Sequence, residues 1–325
     1  MKTYIILVSL ILFACSKNKV QEIDLYSTLS SYEINKEIIL AGVSYIDWQN
    51  NNFIITEYDY NRLYSLSKDF QLHNSFDNLG LLYPSYPNFA KFNNNSVWVY
   101  SAEKRKIFQY SANEVISEHE IVSDTDLINF DTNGDELIYS RVDFEEEPFV
   151  LIDLKTGNMK RFGEYLEDMP NTFLNHYMLN SFSFIREDSY FFVQPYNGMI
   201  SEYDKNFQLK NRINILDFPQ FSIVKEYFST FYKSKNNSLV SLISDAKLID
   251  DKLYLLIYER NPELPPNPRT LLRLDLENGI VLETIIKLGG EDDYFTKFCN
   301  VEGNKFAFYE YQTSSIQFFE IPLDK

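Results

Sequence analysis

The sequence predicts an all-β chain closed into a six-bladed β-propeller. Three observations carry that prediction. Aromatic side chains make up 16% of the 325 residues, with 27 Phe and 24 Tyr against only 10 Gly; such side chains suit pleated, half-buried surfaces. A unit of apolar run, polar turn, strongly apolar run, second turn and aromatic-rich run recurs along the chain. Taking Phe53, Val97, Leu137, Tyr190, Leu253 and Phe306 as equivalent positions gives spacings of 44, 40, 53, 63 and 53. Periods near this size with about four short strands each belong to propeller blades.

The chain begins with Met1-Lys2-Thr3, followed by the uncharged apolar run Tyr4–Ala14. That run is too short to cross a bilayer as a helix but suits the core of a secretory signal. It ends in Leu12-Phe13-Ala14-Cys15, which resembles a bacterial lipobox. The resemblance implies cleavage before Cys15, acylation of that residue and stable anchoring by several acyl chains. Residues 1–14 are therefore read as a lipoprotein signal peptide, 15–31 as a lipidated linker and 32–325 as the propeller. Ser16-Lys17-Asn18-Lys19 carries no acidic run, which favours the periplasmic face of the outer membrane over export to the surface.

Each unit has its own turn signals. Asn50-Asn51-Asn52, Asn93-Asn94-Asn95, Asn133-Gly134-Asp135, Glu187-Asp188, Asp250-Asp251 and Glu302-Gly303-Asn304 each precede a strongly apolar run. Asn, Asp and Gly tolerate positive φ, and such clusters mark tight hairpins. The sixth unit stops after its third strand, which would leave a bare sheet edge. Ring folds avoid such edges, so Tyr32–Ile39 is expected to supply the missing outer strand of the last blade.

Two insertions depart from the repeat. Ser222–Lys233 carries Ile223, Val224, Tyr227, Phe228, Phe231 and Tyr232 at helical spacing, with Ser222 suited to the N-cap. It is expected to pack as a helix over one rim. Pro262–Arg269 interrupts the fifth hairpin, and its prolines favour an extended surface loop.

Charge and chemistry narrow the function. The balance of 30 basic against 47 acidic side chains, a formal −17, speaks against a nucleic-acid partner and against charge-driven docking on anionic lipid. Two cysteines exclude a disulfide scaffold and a multi-cysteine zinc site. Cys299, in an alternating stretch, reads as a small buried strand residue. No nucleophile elbow, HExxH, phosphate loop or dinucleotide fingerprint is present. His73, His119 and His176 fall in separate units. Asp131-x-Asn133-Gly134-Asp135 lacks the distal Glu of a calcium loop and reads as a hairpin turn. Glu145-Glu146-Glu147 and Glu291-Asp292-Asp293 read as solvated loops.

Propeller sites take one or two residues from each blade. Aligning the units puts Tyr45, Asn88, Asn129, Ser181, Asp245 and Lys297 at the entrances of the inner strands, the candidate channel-mouth positions. No cofactor is expected; calcium is the ion that carboxylates of different blades would share there.

The lipobox and the six irregular units resemble the six-bladed, TolB-like propeller lipoproteins of Bacteroidota. Unit endings such as Lys68-Asp69-Phe70-Gln71-Leu72 and Asp204-Lys205-Asn206-Phe207-Gln208-Leu209 are similar to that family's strand-turn-strand signature. The resemblance implies a fold and an envelope compartment. Since one fold hosts many activities, the expected role is a binding module for an envelope protein, peptide or glycan. The alternatives are a propeller hydrolase or lyase with a metal or carboxylate site at the channel mouth, and a structural subunit docking through the helix near Tyr227 and Phe231.

Overall fold

The computed structural model describes residues 20–25, 30–32, 40, 42–57, 62–68, 72–75, 87–111, 114–122, 129–141, 147–164, 180–233, 240–258, 267–277 and 279–322. Two short strands come first, β1 (Gln21–Leu25) and β2 (Ser30–Tyr32). Blade 1 comprises β3 (Val43–Gln49), β4 (Asn52–Glu57), β5 (Arg62–Ser67) and β6 (Leu72–Ser75). Blade 2 is β7 (Pro87–Asn93), β8 (Ser96–Ser101), β9 (Lys106–Ser111) and β10 (Glu114–Glu120). Blade 3 contains β11 (Phe130–Thr132), β12 (Glu136–Ser140), β13 (Phe149–Asp153) and β14 (Met159–Phe162). Blade 4 follows with β15 (Phe182–Arg186), β16 (Ser189–Val193), β17 (Met199–Asp204) and β18 (Leu209–Asn214). After the helix α1 (Ser222–Lys233), blade 5 is β19 (Ile243–Ile249), β20 (Lys252–Tyr258), β21 (Pro268–Asp275) and β22 (Val281–Leu288). The last blade holds β23 (Phe295–Glu302), β24 (Lys305–Glu310) and β25 (Ser315–Glu320).

The first strand of each blade is innermost, and these inner strands neighbour one another round the ring, β23 against β3 included. All six equivalent positions chosen from the sequence lie on second strands. Hairpins at Asn50-Asn51 and Asp250-Asp251 hold both central residues at positive φ (51° and 63°; 45° and 62°), the geometry that twisted two-residue hairpins need. The Asn133-Gly134-Asp135 turn is likewise a hairpin: Asn133 Oδ1 accepts from the Asp135 and Glu136 amides.

The core is one hydrophobic cluster per seam between blades. Blades 6 and 1, for example, share Phe53, Ile55 and Tyr64 with Ala307, Tyr309 and Phe318. Equivalent clusters fill the seams from 1/2 to 5/6. Each fully buried Phe or Leu contributes roughly 1.5–3 kcal/mol, so the ring is closed by side-chain packing as well as by strand exchange.

Strand exchange is present, with a shift. β2 pairs antiparallel with β25, Ser31 opposite Gln317, and completes blade 6. Residues 30–32 therefore do what was expected of 32–39, whose remainder lies outside the described residues. The stretch read as a linker also contributes β1, a fifth strand parallel to β22 at the outer edge of blade 5. Ile23 and Leu25 pack into the 5/6 seam and Val20 into the 4/5 seam, which fixes β1 there. Cys15 lies outside the described residues.

The insertion helix forms over the expected span, and its Phe228, with Phe221 of the turn just before it, packs over the 4/5 seam. Ser222 is not its N-cap. It is already helical (φ −56°, ψ −41°), because Pro219 opens a preceding 3-10 turn. Asn214 caps a separate 3-10 turn upstream, Ile215–Asp217, accepting from the Leu216 amide. The proline insertion is shorter than expected: Pro268 and Arg269 already belong to β21. Among the described residues no helix is long and apolar enough to cross a membrane.

Candidate functional site

An inner strand has a sheet partner on one side only, so its outward amides and carbonyls need other partners. Carboxylates from alternate blades supply them. Asp47 of blade 1 accepts from the Phe92 amide of blade 2 at 3.0 Å. Asp131 of blade 3 takes the Ile185 amide of blade 4 at 2.8 Å, and Asp245 of blade 5 the Phe298 amide of blade 6 at 3.0 Å. Lysines satisfy carbonyls in the same way. Lys247 Nζ donates to Ile46 O, and Lys297 Nζ to Ser244 O, both at 3.0 Å. Lys91 pairs with Asp131.

This belt is dry where blades 5, 6 and 1 meet. Asp245 is fully buried, Lys247 is 6% exposed and Tyr45 5%. The Lys247 ammonium sits over the Tyr45 ring, 3.2 Å from its centroid, and 3.8 Å from the Asp245 carboxylate. Burial lowers the Lys247 ammonium to about 8, against the pull of Asp245 and Asp47. Burial also raises the Asp47 carboxyl, opposed by Lys247 and Lys91. The Tyr45 hydroxyl and the Cys299 thiol are both pushed up, first by burial and then by the Asp47 charge. For Lys91, burial acts downward but the charge and hydrogen bond of Asp131 win, and it is raised.

All six sequence-derived positions fall at one end of the inner strands. Tyr45, Asp245 and Lys297 occupy equivalent ladder positions, opposite Thr56, Leu256 and Tyr309. Asn88 is the bulged residue of β7, where its carbonyl accepts from Thr56 Oγ1 at 3.5 Å. Ser181 exchanges hydrogen bonds with Ser140 Oγ across the 3/4 seam. Asn129, partly buried, stands just before β11. Bulges recur at Ser44, Ser244 and Thr296, so a small polar residue kinks four inner strands at this level.

Asp47, Lys91, Asp131 and Lys247 were missed, although Asp47, Asp131 and Lys247 lie only two residues beyond Tyr45, Asn129 and Asp245, and Lys91 three beyond Asn88. A signal existed: each stands six residues before its second-strand equivalent, Phe53, Val97, Leu137 or Leu253.

Most of the belt is consumed by structure. Among the described residues, the buried oxygens without hydrogen-bond partners include Asn180 Oδ1, Asp245 Oδ1 and Thr296 Oγ1. They stand at the entrance ends of the inner strands of blades 4, 5 and 6. Buried polar atoms are rarely left unpaired, and these three are acceptors or potential acceptors, suited to a ligand rich in hydroxyl, amide or amine donors.

The opposite face carries a cleft of about 270 Å³ between blades 4 and 5. Within it Glu202 accepts from Ser189, Lys210 and Asn211, and Arg186 donates to Asp251 and to Leu276 O, while Glu187, Asp188 and Glu277 make the lining net acidic. Among the described residues, no group of three or more His, Cys, Asp or Glu side chains is placed to hold a metal ion. His119, on an outer strand, stacks on Trp98 with ring centroids 5.8 Å apart.

No family model matches the chain, and no curated protein matches it in sequence. Solved structures do match. The chain is similar to virginiamycin B lyase from Staphylococcus aureus over 91% of its own length and 89% of that chain, with 13% identity and a TM-score of 0.51. A Bacteroides fragilis protein described as exported aligns over 89% of this chain and 88% of its own, at 12% identity and a TM-score of 0.53. The β-propeller domain of Cps50 from Myceliophteria thermophila aligns over 91% of this chain and all of its own (100%), at 9% identity and a TM-score of 0.53. The likeness at such identities is one of fold, the β-propeller, which this chain builds with six blades.

Proposed function

We propose that the chain is a cell-envelope binding module, held to the membrane by an acylated Cys15, that recognises a donor-rich peptide or glycan at the channel mouth. The placement of Asn180 Oδ1, Asp245 Oδ1 and Thr296 Oγ1 at one end of the inner strands carries this reading. The buried Lys247–Tyr45–Asp245 group supports it by fixing the wall of that end on the side of blades 5, 6 and 1. The resemblance to TolB-like lipoproteins and the short apolar leader support the envelope address, with the periplasmic side of the outer membrane as the site of action. A partner protein would engage the same end of the ring through an extended segment.

Thermal-shift measurements with peptide and glycan panels test the proposal. A ligand at a hundred times its dissociation constant stabilises the fold by about 2.7 kcal/mol. Asp245→Asn keeps an acceptor for the Phe298 amide but replaces the second acceptor with a donor, so the shift produced by an active ligand is expected to vanish in that variant. A panel that leaves the midpoint unmoved, or a shift retained in Asp245→Asn, counts against the reading. A shift with calcium, reversed by chelation, would move the conclusion to the metal-assisted hydrolase or lyase.

A further inference from the structure

We infer that the propeller is seated on the bilayer by the tight-turn corner of blade 5, with the channel mouth facing away from the lipid; this rests on the anchoring through Cys15 proposed above. The direction and register of β1 carry the inference. In every blade the first hairpin turn, such as Asn50-Asn51 or Asp250-Asp251, lies at the end of the inner strand opposite the channel mouth. In blade 5 the inner strand β19 thus runs away from the mouth, β20 returns, β21 runs away and β22 returns. β1 is parallel to β22, with Gln21 opposite Thr284 and Leu25 opposite Leu288. The chain therefore enters β1 from the tight-turn side.

Contour length then sets the height. From Val20 back to Cys15 is five residues, at most about 18 Å of fully extended chain. Gln21 stands opposite Thr284, three residues in from the tight-turn end of β22, so about 10 Å of chain is spent before the tether clears that strand. The tether has almost no slack: even stretched along the blade, it only just reaches the tight-turn face. An acylated Cys15 must lie at the headgroups, so that corner of blade 5 lies there too. β1 cannot lengthen the tether by peeling off at no cost, because five ladder positions, the Gly289 amide bond to Leu25 O at 2.8 Å and the packing of Ile23 and Leu25 hold it.

The test uses the acylated full-length protein in vesicles carrying a nitroxide on the lipid headgroup, with a fluorophore on a single introduced cysteine. Cys299 is 1% exposed and the Cys15 thiol is acylated, so the native chain offers no competing thiol. Glu277→Cys labels the exposed β21–β22 turn, and Asp292→Cys the exposed connection at the channel-mouth end of the same blade. A strand of seven to eight residues separates the two by roughly 25 Å. Quenching is expected to be severalfold stronger at Glu277→Cys, and the contrast should collapse when a long Gly/Ser segment is inserted after Lys19. Equal or reversed quenching on vesicle-bound protein would overturn the seating while leaving the anchor intact. Protein that fails to float with vesicles, and behaves like Cys15→Ser, would instead remove the anchoring reading and this inference with it.

Discussion

Replacing Lys247 by methionine tests the dry belt directly. In the fold the ammonium is held near pKa 8 by burial, against 10.5 for a free lysine. A lysine whose folded value lies below its unfolded one binds fewer protons in the native state between those two values. Stability therefore rises with pH from about 8 to 10.5, and the charged form is the one that costs stability below that window. The gap is worth roughly 3 kcal/mol. Methionine keeps the apolar stem and nearly the length, so the Tyr45 contact stays packed. It removes the titration and leaves Asp245 and Asp47 without the Lys247 charge. Urea unfolding of the two proteins should thus give a wild-type minus variant difference that grows by about 2–3 kcal/mol between about pH 7.5 and 10. Titration of tyrosines and surface lysines cancels in that difference. Two curves running parallel to within about 0.5 kcal/mol would refute a low-dielectric belt around Lys247.

Removing residues 20–32 uncovers the edges of β22 and β25 together. The expected result is a lower thermal midpoint and concentration-dependent aggregation, read by light scattering. Phe192→Ala empties the 3/4 seam where the Phe149 and Phe192 rings stack 3.6 Å apart; a loss of about 3–5 kcal/mol in denaturant unfolding is expected. Gly198→Ala sets a Cβ at positive φ (72°) only 2.7 Å from Ile215 and 2.8 Å from Leu242, so strain and overpacking together should cost about 2–4 kcal/mol. The Cys299 thiol, buried and raised in pKa, should react with thiol reagents only after denaturation.

The blade count was legible because the repeat is local. Each second strand has an apolar centre and follows a turn of Asn, Asp or Gly, so Phe53, Val97, Leu137, Tyr190, Leu253 and Phe306 stand out without any knowledge of contacts. The belt was written in the same frame, since Asp47, Lys91, Asp131 and Lys247 keep one offset from those positions. Choosing the right offset, however, requires knowing which strand residues sit where neighbouring blades converge, and that depends on blade-to-blade packing. Cys299 breaks the rule by one residue because β23 bulges between Asn300 and Glu302. The strand β1 could not have been read at all. QEIDL is short and mostly polar, and its partner lies more than 250 residues away. What makes it a strand is the open outer edge of β22 and the two seams that accept Val20, Ile23 and Leu25.

An acidic chain that places lysines in its channel poses a physical question, and the inner-strand edges answer it. Six strands converge with one edge each unpaired, and carboxylates reach the amides of the next blade more readily than any backbone does. Burying three carboxylates is costly without cations, so Lys91 and Lys247 accompany them, and Lys247 and Lys297 cap carbonyls. Ring closure thus consumes one oxygen of Asp245 and both ammoniums nearest to it. Recognition at the mouth is left to the second Asp245 oxygen, Asn180 and Thr296. The two tasks are separable at Thr296, whose hydroxyl holds no partner among the described residues. Thr296→Val has the same shape without the hydroxyl. In the free protein it should hold the unfolding midpoint or raise it by up to about 1 kcal/mol, because no hydrogen bond is broken and a buried polar group is removed. Its ligand-induced shift should fall well below that of the wild type. Asp245→Ala, by contrast, should cost about 3–5 kcal/mol in the free protein by stranding the Phe298 amide and Lys247. If Thr296→Val loses stability as Asp245→Ala does, the hydroxyl belongs to the closure of the ring; if it keeps the full ligand shift, the ligand is held elsewhere on the mouth.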